Sequence, residues 1–270
     1  MNRQLLLVSL SVLCLLASGE LSTASADSPT LDCPDCRQPV TYVALRRRRR
    51  QGSYNAPPTA VPQGEPTPAA PKEVAKPAEP QWRKLFDGKT LDGWKSTQFG
   101  GEGEVKVEKE QLLLEMGEPL TGITWNKKDD LPKDDYEITL EAIKLAGDDF
   151  FCGLTIPVRE SHCSFIVGGW GGGIVGISSI NNFDASENET TKYATFAKDK
   201  WYRIRVRVAA DKIEAWIDDD QMVDVELKDK KINTRFEVDL SKPLGISAYR
   251  TKAALRNIQI RKLDPAKRPE

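Results

Sequence analysis

Histidine is almost missing from this chain: His162 is the only one in 270 residues. A proton shuttle working near neutral pH, or an imidazole metal ligand, therefore has a single candidate, and a site built from several histidines is excluded. Net charge is also small, formally −1. The basic surplus sits in the N-terminal third, chiefly Arg46, Arg47, Arg48, Arg49 and Arg50, which leaves residues 81–270 mildly acidic. No groove for nucleic acid is expected there. Long apolar runs are lacking too. Leu5 to Leu16 falls short of the roughly 20 residues that span a bilayer, and no other segment of the sequence reads as a transmembrane helix. Helix-period segments of useful length are absent as well.

What the N-terminal third does hold is a targeting pattern. Arg3 precedes the apolar run, and Ala24-Ser25-Ala26 follows it, so residues 1–26 read as a secretory signal cleaved after Ala26. The expected location is the periplasm, the cell envelope or the medium. Cys14 within the run opens a second reading, a lipid anchor, although Leu13 stands where a small side chain is expected. Residues 27–80 read as a linker. Gln51 to Pro80 is rich in Pro, Ala and Gln, and such a stretch buries too little apolar surface to offset its chain entropy. The arginine run within it has two readings, a solvated charge block or a contact to an anionic envelope surface.

Export bears on cysteine, of which there are 5, because outside the cytosol paired thiols form disulfides more readily than metal half-sites. Cys33-Pro34-Asp35-Cys36 lacks the further ligands that zinc needs, and Arg37 stands where covalent haem attachment needs His. A local disulfide, or a cross-link to another chain, is the simpler reading. Cys152 and Cys163 flank Pro157, read here as a turn, so a hairpin would set them opposite each other as a second disulfide. No metal and no cofactor is read from these residues; a divalent cation stays open.

From Trp82 onward the pattern has period two. Tyr202, Ile204, Val206 and Val208 alternate with Arg203, Arg205 and Arg207. Tyr136, Ile138, Leu140 and Ala142 alternate with Glu137, Thr139 and Glu141. Ile213, Ala215 and Ile217 alternate with Glu214, Trp216 and Asp218, and Asp218-Asp219-Asp220 turns the chain toward Met222 to Val225. Further strands are expected at 104–109, 111–116, 122–126, 149–157, 162–168, 173–179, 244–249 and 254–262. Many short, half-buried, turn-punctuated strands predict an all-β sandwich.

Two stretches carry a resemblance. Leu85-Phe86-Asp87-Gly88-Lys89-Thr90-Leu91-Asp92-Gly93-Trp94 opens the folded part, and Leu255-Arg256-Asn257-Ile258-Gln259-Ile260-Arg261-Lys262-Leu263 closes it. Together they resemble the ends of the 3-keto-disaccharide hydrolase domain family. That resemblance implies a two-sheet jelly-roll of the concanavalin/laminin-G-like kind over residues 81–264, with its two ends paired and a tail at 265–270. It also implies action on oxidised sugars, in which a ketone acidifies the neighbouring C–H and permits base-assisted elimination followed by hydration. Members typically carry Asn-Ser-Gly leading to an Arg where this chain has Asp149-Phe150-Phe151-Cys152-Gly153. They also tend to have a Gly-Tyr-Glu strand where this chain has an uncharged Gly-Trp segment.

Candidate site residues follow from sugar chemistry. Ser161 to Phe183 has no Asp, Glu, Lys or Arg and includes Gly168-Gly169-Trp170-Gly171-Gly172-Gly173. One reading is a sugar-binding floor on which Trp170 stacks; the other is a core Trp170 with glycines relieving crowding. The following acidic loop offers Asp184, Glu187 and Asn188 to sugar hydroxyls, with Asp184 or Glu187 as acid or base, or else is a solvated loop. Asn188-Glu189-Thr190 also fits the N-glycosylation pattern. His162 is a further catalytic candidate beside a plain structural role. The polar strand faces supply the last set, with Glu141 as a carboxylate and Arg205 and Trp216 as sugar contacts, against an ordinary wet sheet face with cross-strand ion pairs. A catalytic Glu-x-Asp-x-x-Glu strand, as in family-16 glycoside hydrolases, is not present. The protein is thus expected to be a carbohydrate-active hydrolase or lyase, or alternatively a non-catalytic carbohydrate-binding module or envelope structural protein.

Overall fold

The computed structural model describes residues 81–127 and 130–264, so the signal sequence, Cys33, Cys36, the arginine run, the linker and the tail lie outside the described residues. Fifteen strands, β1 to β15 in chain order, form two antiparallel sheets among the described residues. The first sheet runs in the order β13 (Asp220–Glu226), β12 (Lys212–Ile217), β11 (Trp201–Val208), β6 (Tyr136–Gly147), β15 (Thr251–Lys262), β4 (Gln111–Leu114) and β3 (Val105–Glu108), with β1 (Arg83–Lys84) also paired to β15. The second runs β10 (Lys192–Tyr193), β9 (Ile174–Ser178), β8 (Ser161–Gly168), β7 (Cys152–Val158), β14 (Gly245–Tyr249), β5 (Leu120–Trp125) and β2 (Trp94–Ser96). No helix among the described residues is long and apolar enough to cross a membrane.

The period-two pattern becomes the core. Tyr202, Ile204, Val206 and Val208 of β11 lie opposite Ala142, Leu140, Ile138 and Tyr136 of β6, and all are buried. Their counterparts across the sandwich include Leu154, Ile156, Phe165, Val167 and Ile177. Each large apolar side chain so buried contributes about 1.5–3 kcal/mol. Tyr136 also ties the two layers together, since its hydroxyl donates to the Pro157 carbonyl at 2.7 Å.

The ends of the domain pair as the resemblance implied. Arg83 stands opposite Ile260 and Lys84 opposite Gln259. The Leu85 N–H donates to the Ile258 carbonyl at 2.9 Å, and the Trp94 indole N–H donates to the Leu85 carbonyl at 2.7 Å. Between them Gly93 turns at φ 82, where a Cβ would stand 2.5 Å from the Trp125 ring.

Three expectations need correction. Pro157 is not a turn but lies within β7, paired with His162, and the chain turns at Arg159 and Glu160. A proline is accepted there because the β14 ladder on the other side of β7 ends at Thr155. That placement undoes the Cys152–Cys163 disulfide. Cys152 lies opposite Val167 and Cys163 opposite Ile156, four rungs apart, and both are buried free thiols. Finally, the reading of Trp170 as a core residue, with glycines relieving crowding around it, does not hold. Gly169–Gly172 makes a tight left-handed turn joining β8 to β9, with Trp170 at φ 49 and 41% exposed. Trp170 is therefore not a core residue.

Candidate functional site

The outer face of the second sheet is paved with small side chains. Thr155, Ser164, Ser178, Ser247 and glycines 122, 153, 176 and 245 share it through the β8–β9, β7–β8, β14–β7 and β14–β5 registers. Small residues let covering segments lie close to the strands. A Cβ on Gly153 would meet the Phe150 ring at 2.9 Å, and one on Gly245 would meet the Ser241 carbonyl at 2.5 Å. The 3-10 helix Phe236–Ser241 and the loop before β10 thus roof much of this face. Side chains of that loop replace a neighbouring strand at the β9 edge: Asn188 Nδ2 donates to the Ile177 carbonyl at 2.7 Å, and the Ile177 N–H donates to Thr190 Oγ1 at 2.9 Å.

What the roof leaves open is a hollow of about 230 Å³. Its base is Ser164, Ile166 and Ser178. One wall is Asp149, Phe150, Trp170 and Tyr249, the other Arg235, Glu237 and Val238. The Phe150 and Tyr249 rings pack at 5.7 Å between centres. Asp149 organises its wall, because Oδ1 accepts the Phe150 N–H at 2.8 Å and Oδ2 accepts the Gly171 N–H at 3.0 Å. One carboxylate therefore fixes both the β6–β7 loop and the turn that presents Trp170.

The opposite wall is an ion-paired triad. Arg235 donates from Nη1 to Asp184 Oδ2 at 2.6 Å, from Nη2 to Glu237 Oε1 at 2.7 Å, and from Nε to Glu237 Oε2 at 3.2 Å. The Arg235 hydrogen bonds hold the Glu237 carboxyl below the usual carboxylate range, so it is an anion at neutral pH. Among the described residues no cluster of His, Cys, Asp and Glu is arranged to hold a metal ion.

The residues singled out from sequence are scattered by the fold. Trp170 lines the hollow, and Asp184 supports it through Arg235. His162 is on the same face of β8 as Ser164, nearer the β7–β8 turn and outside the hollow lining. Its ring is held below its ordinary 6.5, first by burial and then by the charges of Lys242 and Lys133, with Asp239 opposing. Asn188 spends its amide on the carbonyls of Ile177, Phe183 and Asp184, and its Oδ1 on Thr190, so it staples the loop. Glu187 is exposed in the turn that Asp184 opens.

Glu141, Arg205 and Trp216 lie on the outer face of the other sheet. There Glu141 pairs with Arg256 at 2.7 Å, and Arg205 lies 3.8 Å from the Trp216 ring centre while bonding Glu137 at 2.9 Å. These three belong to a network of cross-strand pairs and not to the hollow. Phe150, Tyr249, Arg235 and Glu237 were missed by sequence reasoning. Asp149 and Phe150 had a signal, since they occupy the place where the family's motif is altered.

Residues 81–261 match the family model described as a 3-keto-alpha-glucoside-1,2-lyase-like domain. No curated protein matches the chain. Solved structures with related sandwiches include carbohydrate-binding module CBM66 from Bacillus subtilis, 12% identical, covering 63% of this chain and 96% of that one at a TM-score of 0.41. Domain 4 of AbnA, a GH43 extracellular arabinanase from Geobacillus stearothermophilus solved with arabinotriose, is 10% identical over 64% of this chain and 85% of its own, TM-score 0.41. A carbohydrate esterase of the Shiga toxin-encoding bacteriophage phi24B is 12% identical over 64% and 92%, TM-score 0.45.

Proposed function

Because the chain belongs to the 3-keto-alpha-glucoside-1,2-lyase-like domain family, we propose that the hollow on the second sheet binds the oxidised ring of a 3-keto-glycoside and cleaves it by 1,2-elimination. The 3-ketone acidifies the C2–H. A carboxylate takes that proton, the electron pair forms C1=C2, the C1–O bond breaks, and the departing oxygen is protonated to release the alcohol. Water added across the new double bond then completes a net hydrolysis. Such a sequence needs a base, a proton donor and a stabiliser of negative charge.

The observation that supports this reading most is the pairing, across one small hollow, of aromatic faces with an ionised carboxylate held by an arginine. Trp170 and Tyr249 offer ring faces to the C–H side of a pyranose. Glu237, the anion of the opposite wall, is assigned as the base, with Arg235 stabilising the enolate oxygen. Asp149 is assigned a positioning role, since both of its oxygens already hold backbone N–H groups. The volume is below the roughly 300–1,000 Å³ of sites that enclose a drug-sized ligand, as suits a single ring.

A second reading has its own observation. Both oxygens of Glu237 are engaged by Arg235, as they would be in a binding module that only displays polar groups. The two readings separate on turnover. Purified protein incubated with a methyl 3-keto-glucoside is expected to release methanol and a conjugated enone absorbing in the ultraviolet, and Glu237→Gln is expected to slow release at least a hundredfold while the sugar still binds. Binding without release by the parent protein would favour the module. Export, directed by residues 1–26, and a domain bounded by residues 81–264 complete the proposal.

A further inference from the structure

The hollow opens onto a surface that is unusually apolar for its exposure. Phe236 is 81% exposed and sits between Arg235 and Glu237, the two charged residues of one wall. Phe183 is 56% exposed and directly precedes Asp184, which the Arg235 ion pair brings to that same wall. Trp170, on the facing wall, is held in the left-handed region while 41% exposed. A bulky side chain in that region is strained, and strain of this kind persists where surrounding structure enforces it, commonly at ligand clamps. Trp170 thus lines the hollow, and Phe183 and Phe236 each adjoin in sequence a member of its ion-paired wall. Scattered exposed apolar residues need no explanation, whereas a group around the mouth of a site marks a surface that something covers.

The polar atoms at this mouth point to what covers it. A sugar leaving group presents hydroxyls on every edge and needs free donors and acceptors around it. Here three of the five Arg235 N–H groups go to Asp184 and Glu237, the other two serve the enolate oxygen of the sugar ring in the reading above, and each Asp149 oxygen already accepts a backbone N–H. What remains available at the rim is mainly aromatic surface. Resting on the reading of the hollow as a 3-keto-glycoside site, we infer that Trp170, Phe183 and Phe236 form an aglycone subsite for an apolar, aromatic-bearing leaving group. The preferred substrates are then 3-keto-glycosides of such alcohols and not 3-keto-disaccharides. The hollow holds the sugar ring, and the aglycone lies across the rim, where its departure as an alcohol needs no polar contact beyond the proton it receives.

The test compares leaving groups of similar acidity, so that chemistry does not mask recognition. Methyl and 2-phenylethyl 3-keto-glucosides meet this condition, and 3-keto-trehalose represents the disaccharide class. The full chain is expected to turn over the phenylethyl compound with kcat/KM at least tenfold above the methyl compound and above 3-keto-trehalose. In the double variant Phe183→Ser with Phe236→Ser, both positions being solvent-exposed, the phenylethyl-to-methyl ratio should fall below threefold. Equal kcat/KM for the two glucosides, a preference for 3-keto-trehalose, or an unchanged ratio in the variant would overturn the subsite while leaving the elimination reading intact. If no keto-glycoside is turned over, the elimination reading fails, and calorimetry with the unoxidised glucosides decides the subsite alone. Tenfold tighter binding of 2-phenylethyl glucoside that the double variant abolishes supports it, and equal binding overturns it.

Discussion

Trp170 carries an unfavourable backbone conformation, φ 49, on a side chain that stays 41% exposed and so gains little from burial. A conformation of this kind costs on the order of 1–3 kcal/mol. Asparagine accepts it far better. Trp170→Asn is therefore expected to leave thermal stability unchanged or raise it by about 1 kcal/mol, while lowering kcat/KM on keto-glycosides at least tenfold; a parallel loss of stability and activity would make Trp170 a packing residue. Glu137 shows the opposite economy. Its side chain is fully buried beneath Arg205 at 2.9 Å, Arg261 at 2.5 Å and Arg207 at 3.8 Å, with Arg205 stacked on Trp216. Removing one partner of a buried ionic group leaves the others uncompensated, so Glu137→Gln should cost about 3 kcal/mol in urea unfolding. Because that network lies on the sheet remote from the hollow, kcat/KM should change less than twofold.

The 3-10 helix Phe236–Ser241 is the element that makes the hollow; burial of Val238 and Ser241 and a hydrogen bond from the Thr124 hydroxyl to the Leu240 carbonyl at 2.9 Å attach it to the sheet, and ion pairs within the segment shape it. Asp239 accepts from Lys242 at 2.7 Å and from Thr234 at 2.6 Å, which holds its carboxyl below the ordinary 3.8. Glu237 is lowered by Arg235. His162 faces this segment from β8, with Lys242 and Lys133 disfavouring its charged form and Asp239 favouring it. All three groups have a depressed folded-state pKa, so in each case the unfolded chain binds its proton first and acidification destabilises the fold. The histidine contribution is present above its unfolded value of 6.5 and is lost as pH falls below that; the carboxylate contributions go only below about 4. Urea midpoints measured from pH 7.5 to 5 should decline for the parent protein, and His162→Asn should flatten that decline. Identical slopes would show that His162 does not couple to folding.

At the scale of the molecule, the sandwich is closed by its own ends. Leu85 and Phe86 are buried, and Trp94 reaches back to the Leu85 carbonyl. A chain starting at residue 81 should unfold cooperatively, whereas one starting at residue 88 loses β1, two core side chains and the Trp94 partner. Burial of two such side chains is worth about 3–6 kcal/mol, so the shorter chain should unfold at markedly lower urea or fail to stay soluble, and equal midpoints would show that the first strand is ornamental. The same closure explains the hollow. With both sheets packed inward, only the two outer faces are free, and the one lined with small residues is the face that loops can cover closely enough to enclose a site.

Much of this was legible in the chain. Alternation over Tyr136–Gly147, Trp201–Val208 and Lys212–Ile217 encodes which side chains are buried, and burial is a local, period-two property of a strand. The paired ends were legible because the family motif includes both. The hollow was not, since Asp149, Tyr249 and Arg235 meet only after strands distant in sequence are laid side by side, and alternation says that a residue faces outward without saying from which sheet. Glu141, Arg205 and Trp216 point outward from their strands as Ser164 and Ser178 do from theirs, yet sheet order sends the two groups to opposite surfaces of the sandwich. The alternation of faces is encoded residue by residue along each strand, whereas the choice of outward face for the site comes from packing, which alone sets where the roof lies.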